Sequence, residues 1–268
     1  MRIFLATIAL ALALLLPIGA GAAGEDWQST ISHSGPGPFP EPRPMHCSYR
    51  FGWTGIIAAT GDVRLSKPLP ERFQLDAVMH TMALARTLWK FDVTHTATAE
   101  AKTLHPIAVK QVEETRAKKT STDLLFDANG VTGKRTEGKK NPKTRRFDMT
   151  GILDLHSAFL YLRSHALKEH DIQRIVVYPG KDAYVATLTV VAREKITIPA
   201  GTYPAIKLDL QLSRVGKNGT LEGHKKFRTA SIWISDDEDR LFLRAEAQIF
   251  IGTVFAELQS IEFDAAKQ

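Results

Sequence analysis

The chain has 268 residues, a formal net charge of +6, 44% hydrophobic residues and one cysteine, Cys47. A lone cysteine excludes an internal disulfide, so the fold must rest on an apolar core, and the chain is long enough to build one. The modest positive excess favours anionic partners, such as phospholipid head groups or acidic glycans.

In chain order, Met1-Arg2 opens an apolar run from Ile3 to Ile18, followed by small residues with Ala20 and Ala22 spaced for signal peptidase. This pattern predicts a signal peptide over residues 1–22, cut after Ala22 or Ala23. The run is shorter than the roughly 20 residues that cross a bilayer, and no cysteine follows it directly to carry a lipid. The expectation is a periplasmic or secreted protein with no transmembrane segment after cleavage, for which nucleic acid is discounted as a partner. Residues 23–44 read as a flexible leader. From Pro36 to Pro44 every second residue is proline, which removes donors and favours extended polyproline II.

From Met45 onward period-two alternation dominates and predicts a single β-rich domain over 45–263, with a tail at 264–268. Phe73, Leu75, Ala77 and Met79 share one face, as do Tyr184, Ala186, Leu188 and Val190, and Ile206, Leu208, Leu210 and Leu212. One-sided burial of this kind marks antiparallel strands. Turn chemistry separates the runs: Asp127-Ala128-Asn129-Gly130, Pro199-Ala200-Gly201, the polar loop Gly216–Gly223, and the acidic turn Asp236–Asp239. Two segments switch to helical spacing. Asp154 can cap a helix to about His165, with Leu155, Ala158, Phe159 and Leu162 on one face, and a shorter turn runs from Met82 to Trp89. The predicted class is mainly β, an antiparallel meander curled into a barrel or half-barrel with one or two short helices, either of which can plug an open end.

No catalytic, metal or cofactor constellation stands out. The nine histidines form no H-x-x-x-H pair on a predicted helix, no G-x-S-x-G elbow is present, and Asp236–Asp239 lacks calcium-loop spacing. Cys47 alternates with His46 and Ser48 and reads as a buried strand thiol. The densest feature is basic: Lys134, Arg135, Lys139, Lys140, Lys143, Arg145 and Arg146, opposed by Glu137, with Arg116, Lys118 and Lys119 on the adjoining strand. That density points to an anionic contact surface, or to a solvated lysine-rich edge that blocks strand pairing.

Three stretches carry a likeness to a known family: residues 154–163 (DLHSAFLYLR), 193–203 (REKITIPAGTY), and 232–237 (IWISDD) with 240–244 (RLFLR) following. Together with Tyr49-Arg50-Phe51-Gly52-Trp53 they make the region from about Met45 to Phe263 resemble domain of unknown function 3108, a family of exported bacterial proteins. Phe242 stands where the family pattern has proline, and His156 replaces an apolar helix residue. The resemblance implies a β-rich envelope protein and brings no catalytic residues. Three functions follow as expectations: a non-catalytic barrel-like module holding an apolar or amphipathic ligand; an interaction protein using its basic edge on a lipid, glycan or envelope-protein partner; and a hydrolase without a recognisable motif.

Overall fold

The computed structural model describes residues 26–32, 35–223 and 229–264; the expected signal peptide lies outside them. Fifteen strands form one antiparallel sheet. The first eight are β1 (Met45–Trp53), β2 (Ile56–Leu69), β3 (Arg72–Thr81), β4 (Phe91–Glu100), β5 (Pro106–Thr115), β6 (Lys119–Asp127), β7 (Gly130–Glu137) and β8 (Lys143–Asp148). The rest are β9 (Ile172–Val177), β10 (Tyr184–Ile198), β11 (Gly201–Val215), β12 (Leu221–Gly223), β13 (Thr229–Ser235), β14 (Phe242–Ile249) and β15 (Gly252–Phe263). Two helices interrupt them, α1 (Ala83–Leu88) and α2 (Leu155–Ser164).

The sheet order is β8-β7-β6-β5-β4-β3-β2-β1-β15-β14-β13-β11-β10-β9, with β12 paired to β11. Two meanders therefore meet along β1 and β15, paired from Met45 opposite Phe263 to Trp53 opposite Val254 with a one-residue shift between Ser48 and Tyr49. The sheet curls without closing, as an antiparallel half-barrel. Alternation decides what faces inward: Met45, Cys47, Tyr49 and Phe51 of β1 are buried while His46, Ser48 and Arg50 between them are half-exposed. The expected turns are present, except that Leu221–Gly223, read as part of a polar loop, form β12 against β11. Asp127 Oδ1 accepts from Asn129 N at 2.8 Å, and Gly130 and Gly201 supply positive φ.

The two outer strands do not pair, but their side chains meet. Leu124 of β6 and Val131 of β7 share a buried cluster with Val176, Tyr178 and Val185, and the Phe147 and Tyr178 rings lie 6.0 Å apart. The free edge of β9 is covered by chain. Ser32 N donates to the Arg174 carbonyl at 2.8 Å, Leu153 N to the Val176 carbonyl at 2.9 Å, and Tyr178 N to the Leu153 carbonyl at 2.8 Å. Such cover hides unpaired groups that would recruit another strand.

Asp154 caps α2, its Oδ1 accepting from Ser157 N at 2.8 Å. The sequence suggests one apolar face, yet α2 is buried nearly all round because it runs inside the curl. Helix α1 departs from the plug reading: none of its residues is buried, and Leu84 and Leu88 face solvent. The proline-rich segment, read from composition as flexible, touches the body at several points. Phe39 N donates to the Ser164 carbonyl at 3.1 Å, Arg43 pairs with Asp239 at 2.6 Å, and Arg240 stacks 4.1 Å over the Phe39 ring. Upstream, Trp27 is buried and its Nε1 donates to the Gly219 carbonyl at 2.6 Å.

Seating of this segment has a stability consequence. Trp27→Ala is expected to lower unfolding free energy by about 3 kcal/mol, the low end for truncating a buried tryptophan. Urea melts that superimpose on wild type would show that residues 26–32 contribute nothing to the core.

Candidate functional site

Between α2 and the inner faces of β1–β4 lies a cavity of about 270 Å³. Its wall is mostly apolar, with Cys47 and Phe51 from β1, Leu65 from β2, Met79 from β3 and Phe159 from α2. The polar atoms of β1 are quiet. Tyr49 Oη donates to the Phe242 carbonyl at 3.0 Å, and burial holds that phenol protonated well above its ordinary range. Burial likewise pushes the Cys47 thiol up to about 11, so it is neutral and unreactive at physiological pH.

Two groups on α2 break this apolar lining. His156 is buried, and neither ring nitrogen has a hydrogen-bond partner among the described residues. Desolvation lowers its pKa to about 4; the Asp154 carboxylate opposes the shift and His95 adds to it. Arg163 stands seven residues on, two turns along the same face of α2, about 10 Å away. Its guanidinium donates to the carbonyls of Asp239 at 2.9 Å and Pro40 at 3.2 Å, while Nε has no partner among the described residues. Burial pulls its pKa down to about 10, against the pull of the Asp239 and Asp237 carboxylates. A buried donor left unused costs free energy that an acceptor arriving in the cavity would return.

Asp154, His156 and Ser157 are neighbours in sequence and all buried, which invites a nucleophile–base reading. Ser157 Oγ has no hydrogen-bond partner among the described residues, so the contact that activates a serine is not made.

The basic stretch is divided by the fold. Arg146 is held by Asp127 at 2.6 Å and Asp148 at 2.7 Å, and Arg135 by Glu137 and the Thr122 hydroxyl, both at 3.3 Å. Lys134 is exposed on β7, beside Asp123 of β6 and Thr144 of β8. Lys139 and Lys140 are exposed in the β7–β8 turn, with Lys143 and Arg145 on β8. Lys140, Lys143 and Arg145 join Arg135 and Lys181 around a second recess of about 180 Å³ at the open seam, where Glu137 is the one carboxylate. Lys118 reaches Glu137 at 3.4 Å. The sequence locates this charge but not its partners. The sequence anticipates an apolar or amphipathic ligand in the barrel-like fold but not the residues that line the cavity; the one local trace is His156 in a helix position expected to be apolar.

The model of the protein family of unknown function DUF3108 matches residues 48–259. The chain belongs to the DUF3108 family. Among solved structures, a β-barrel-like protein of domain of unknown function DUF1849 from Brucella abortus aligns with 84% of the DUF3108 chain and 99% of its own length, at 11% identity and a TM-score of 0.60. That likeness concerns fold alone. A DUF1089-family protein from Pseudomonas aeruginosa aligns with 71% of the chain and 90% of its own, at 12% identity and a TM-score of 0.38. No curated protein matches. No described helix is long and apolar enough to cross a membrane.

The neutral, buried His156 makes stability depend on pH. Its folded pKa of about 4 lies below an unfolded value near 6.5, so the unfolded chain binds more protons between them. Its contribution is complete above pH 6.5 and is lost as pH falls toward 4, by up to about 3 kcal/mol for the full shift. His156→Leu, which also removes two unpartnered polar atoms, is expected to raise stability at pH 5 and to flatten the urea midpoint between pH 6.5 and 5. An unchanged slope would mean that His156 is hydrated in the folded protein.

Proposed function

We propose that this protein is an exported, non-catalytic, barrel-like envelope module that holds a single-chain amphiphile. The acyl chain occupies the cavity and its carboxylate lies toward Arg163. One observation carries this reading: an apolar cavity lined in part by Arg163, a buried side chain whose Nε–H has no partner among the described residues. A carboxylate accepts from that donor and offsets the buried charge. The volume of about 270 Å³ sits just under the roughly 300–1,000 Å³ of pockets for drug-sized molecules. That size favours one acyl chain over the two of a phospholipid. Export is supported by the N-terminal pattern of Arg2, the apolar run and Ala20-x-Ala22.

The test uses palmitate and hexadecanol as probes. Palmitate is expected to bind the processed protein and to bind Ala77→Trp, which fills the cavity from β3, at least about tenfold more weakly, as when a pocket is occluded. Hexadecanol, which lacks the charge, is expected to bind more weakly than palmitate. Equal palmitate binding by wild type and Ala77→Trp would remove the cavity from the function.

A second reading concerns the seam recess, because five basic side chains line it against one carboxylate. This arrangement supports contact with an anionic group of an envelope partner, screened by salt over about 8 Å at physiological strength. On a sulfated-glycan column, the Lys140→Ala/Lys143→Ala/Arg145→Ala variant is expected to elute at lower salt than wild type. Coelution would leave the recess as a solvated edge.

A further inference from the structure

The strand registers fix which connections share an end of the barrel. Strand β1 ends at Trp53 and β2 begins at Ile56. Thr81 opposite Ala59 brings the end of β3, and with it α1, to the same end. Trp53 opposite Val254 brings the β14–β15 turn there. Phe91 opposite Thr115, and Thr120 opposite Glu137, bring the β5–β6 and β7–β8 turns. In sheet order these five connections are consecutive: β7–β8, β5–β6, α1, β1–β2, β14–β15.

Three adjacent connections of the five carry large apolar side chains into solvent. Leu84 and Leu88 of α1 are 70% and 64% exposed, Ile56 is 64% and Phe250 78%, with Trp53 and Ile251 at 37% each. Scattered exposed apolar residues are ordinary, but a contiguous group at one end marks an interaction surface. The group is tied together rather than loose. Trp53 Nε1 donates to the Ile251 carbonyl at 3.1 Å and Thr54 N to the Thr253 carbonyl at 2.7 Å. Gly252 has a positive φ, and any Cβ there would collide with Thr54, so the two turns pack at a position only glycine allows. Met82 N donates to the Ala58 carbonyl at 2.9 Å and anchors the start of α1.

The other two connections are basic. Arg116 of the β5–β6 turn donates to the Thr87 carbonyl at 2.5 Å, which joins the basic side of the rim to the end of α1. Lys118 lies beside it, and the β7–β8 turn adds exposed Lys139 and Lys140, which have no ion-pair partner among the described residues. Apolar tips including a tryptophan, flanked on the same rim by lysine and arginine, are what an anionic lipid surface recognises. The tips enter the head-group boundary, and the cations stay at the phosphates.

We propose that this end of the barrel is a membrane-docking face that seats the protein peripherally on an anionic bilayer, with Trp53, Ile56, Leu84, Leu88, Phe250 and Ile251 inserted. The docking face extends beyond the cavity reading and stands whether or not the cavity is filled.

Cosedimentation of the processed full-length protein with phosphatidylcholine vesicles containing about a third phosphatidylglycerol tests it. Wild type is expected to bind these vesicles and to bind pure phosphatidylcholine at least about tenfold more weakly. Leu84→Ser/Leu88→Ser and Phe250→Ser/Ile251→Ser are each expected to lower partitioning about tenfold or more while circular dichroism and urea midpoint stay unchanged, since the positions are exposed. Lys139→Glu/Lys140→Glu is expected to lower it at low salt and to match wild type at high salt. Leu69→Ser, an exposed leucine at the opposite end, is expected to bind as wild type does. The proposal is overturned if wild type does not bind, if the rim variants bind as well as wild type, or if Leu69→Ser is weakened as much as they are. It is equally overturned if wild type self-associates through this rim without binding vesicles.

Discussion

The pairing of β1 with β15 decides the architecture. Every other link along the sheet joins strands that are neighbours in the chain or nearly so, which local turns can set up alone. The β1–β15 ladder instead joins residues about two hundred positions apart, so a long loop-closure cost precedes its hydrogen bonds. Once formed, it turns two meanders into one continuous twisted sheet, and strand twist curls that sheet on itself. Curling carries β8 and β9 toward each other. Their polar edges do not meet in a ladder. Side chains such as Phe147 and Tyr178 fill the gap, and Ser32 and Leu153 satisfy the edge of β9.

A curled sheet with an apolar concave face needs something inside it. Here the filling is α2, and a helix is an imperfect plug. It brings an N-cap carboxylate, an imidazole and a guanidinium into a region whose walls are methionine, leucine and phenylalanine. Arg163 resolves most of its burial by donating to the carbonyls of Pro40 and Asp239, so the proline-rich segment and the acidic turn are both organised around one side chain. His156 resolves its burial by staying neutral. What α2 does not fill remains as the cavity, which is therefore a direct consequence of putting a helix, rather than a second sheet, against the concave face.

Strands, turns and α2 were legible because each leaves a local signature. Alternation follows from one-sided burial, Asp127-Ala128-Asn129-Gly130 from hairpin geometry, and Asp154 from the orphan N–H groups of a helix start. The seating of Trp27 and Phe39 left no such signature, because their partners, Gly219 and Arg240, lie far along the chain. The basic stretch was legible as charge, whereas its division was not. Arg146 is neutralised by Asp127 across the sheet while Lys139 and Lys140 sit in a turn, and sequence proximity cannot distinguish these fates. The cavity was illegible for a stronger reason: the same alternating apolar residues line a filled core or an empty one.

The two ends of the barrel differ in how densely they expose large apolar side chains: Leu69 and Phe263 stand singly at one end, whereas at the other six gather on adjacent connections. At the end where α2 finishes, connections are built from residues that their backbone geometry requires: Asp127 and Gly130, Pro199 and Gly201, and Asp237, whose Oδ1 accepts from the Ser235 hydroxyl at 2.6 Å and from Asp239 N and Arg240 N, each at 3.1 Å. Ion pairs such as Arg43–Asp239 tie the leader across it. At the other end, the geometry requires Gly55 and Gly252, both at positive φ, and is indifferent to what stands beside them. The residues beside them are Trp53, Ile56, Phe250 and Ile251. A turn gains nothing from an exposed phenylalanine, and such a side chain adds surface on which unfolded or partly folded chains can associate. Side chains that the fold neither needs nor buries, gathered on three adjacent connections and bordered by cations, are the observation on which the proposed docking face rests.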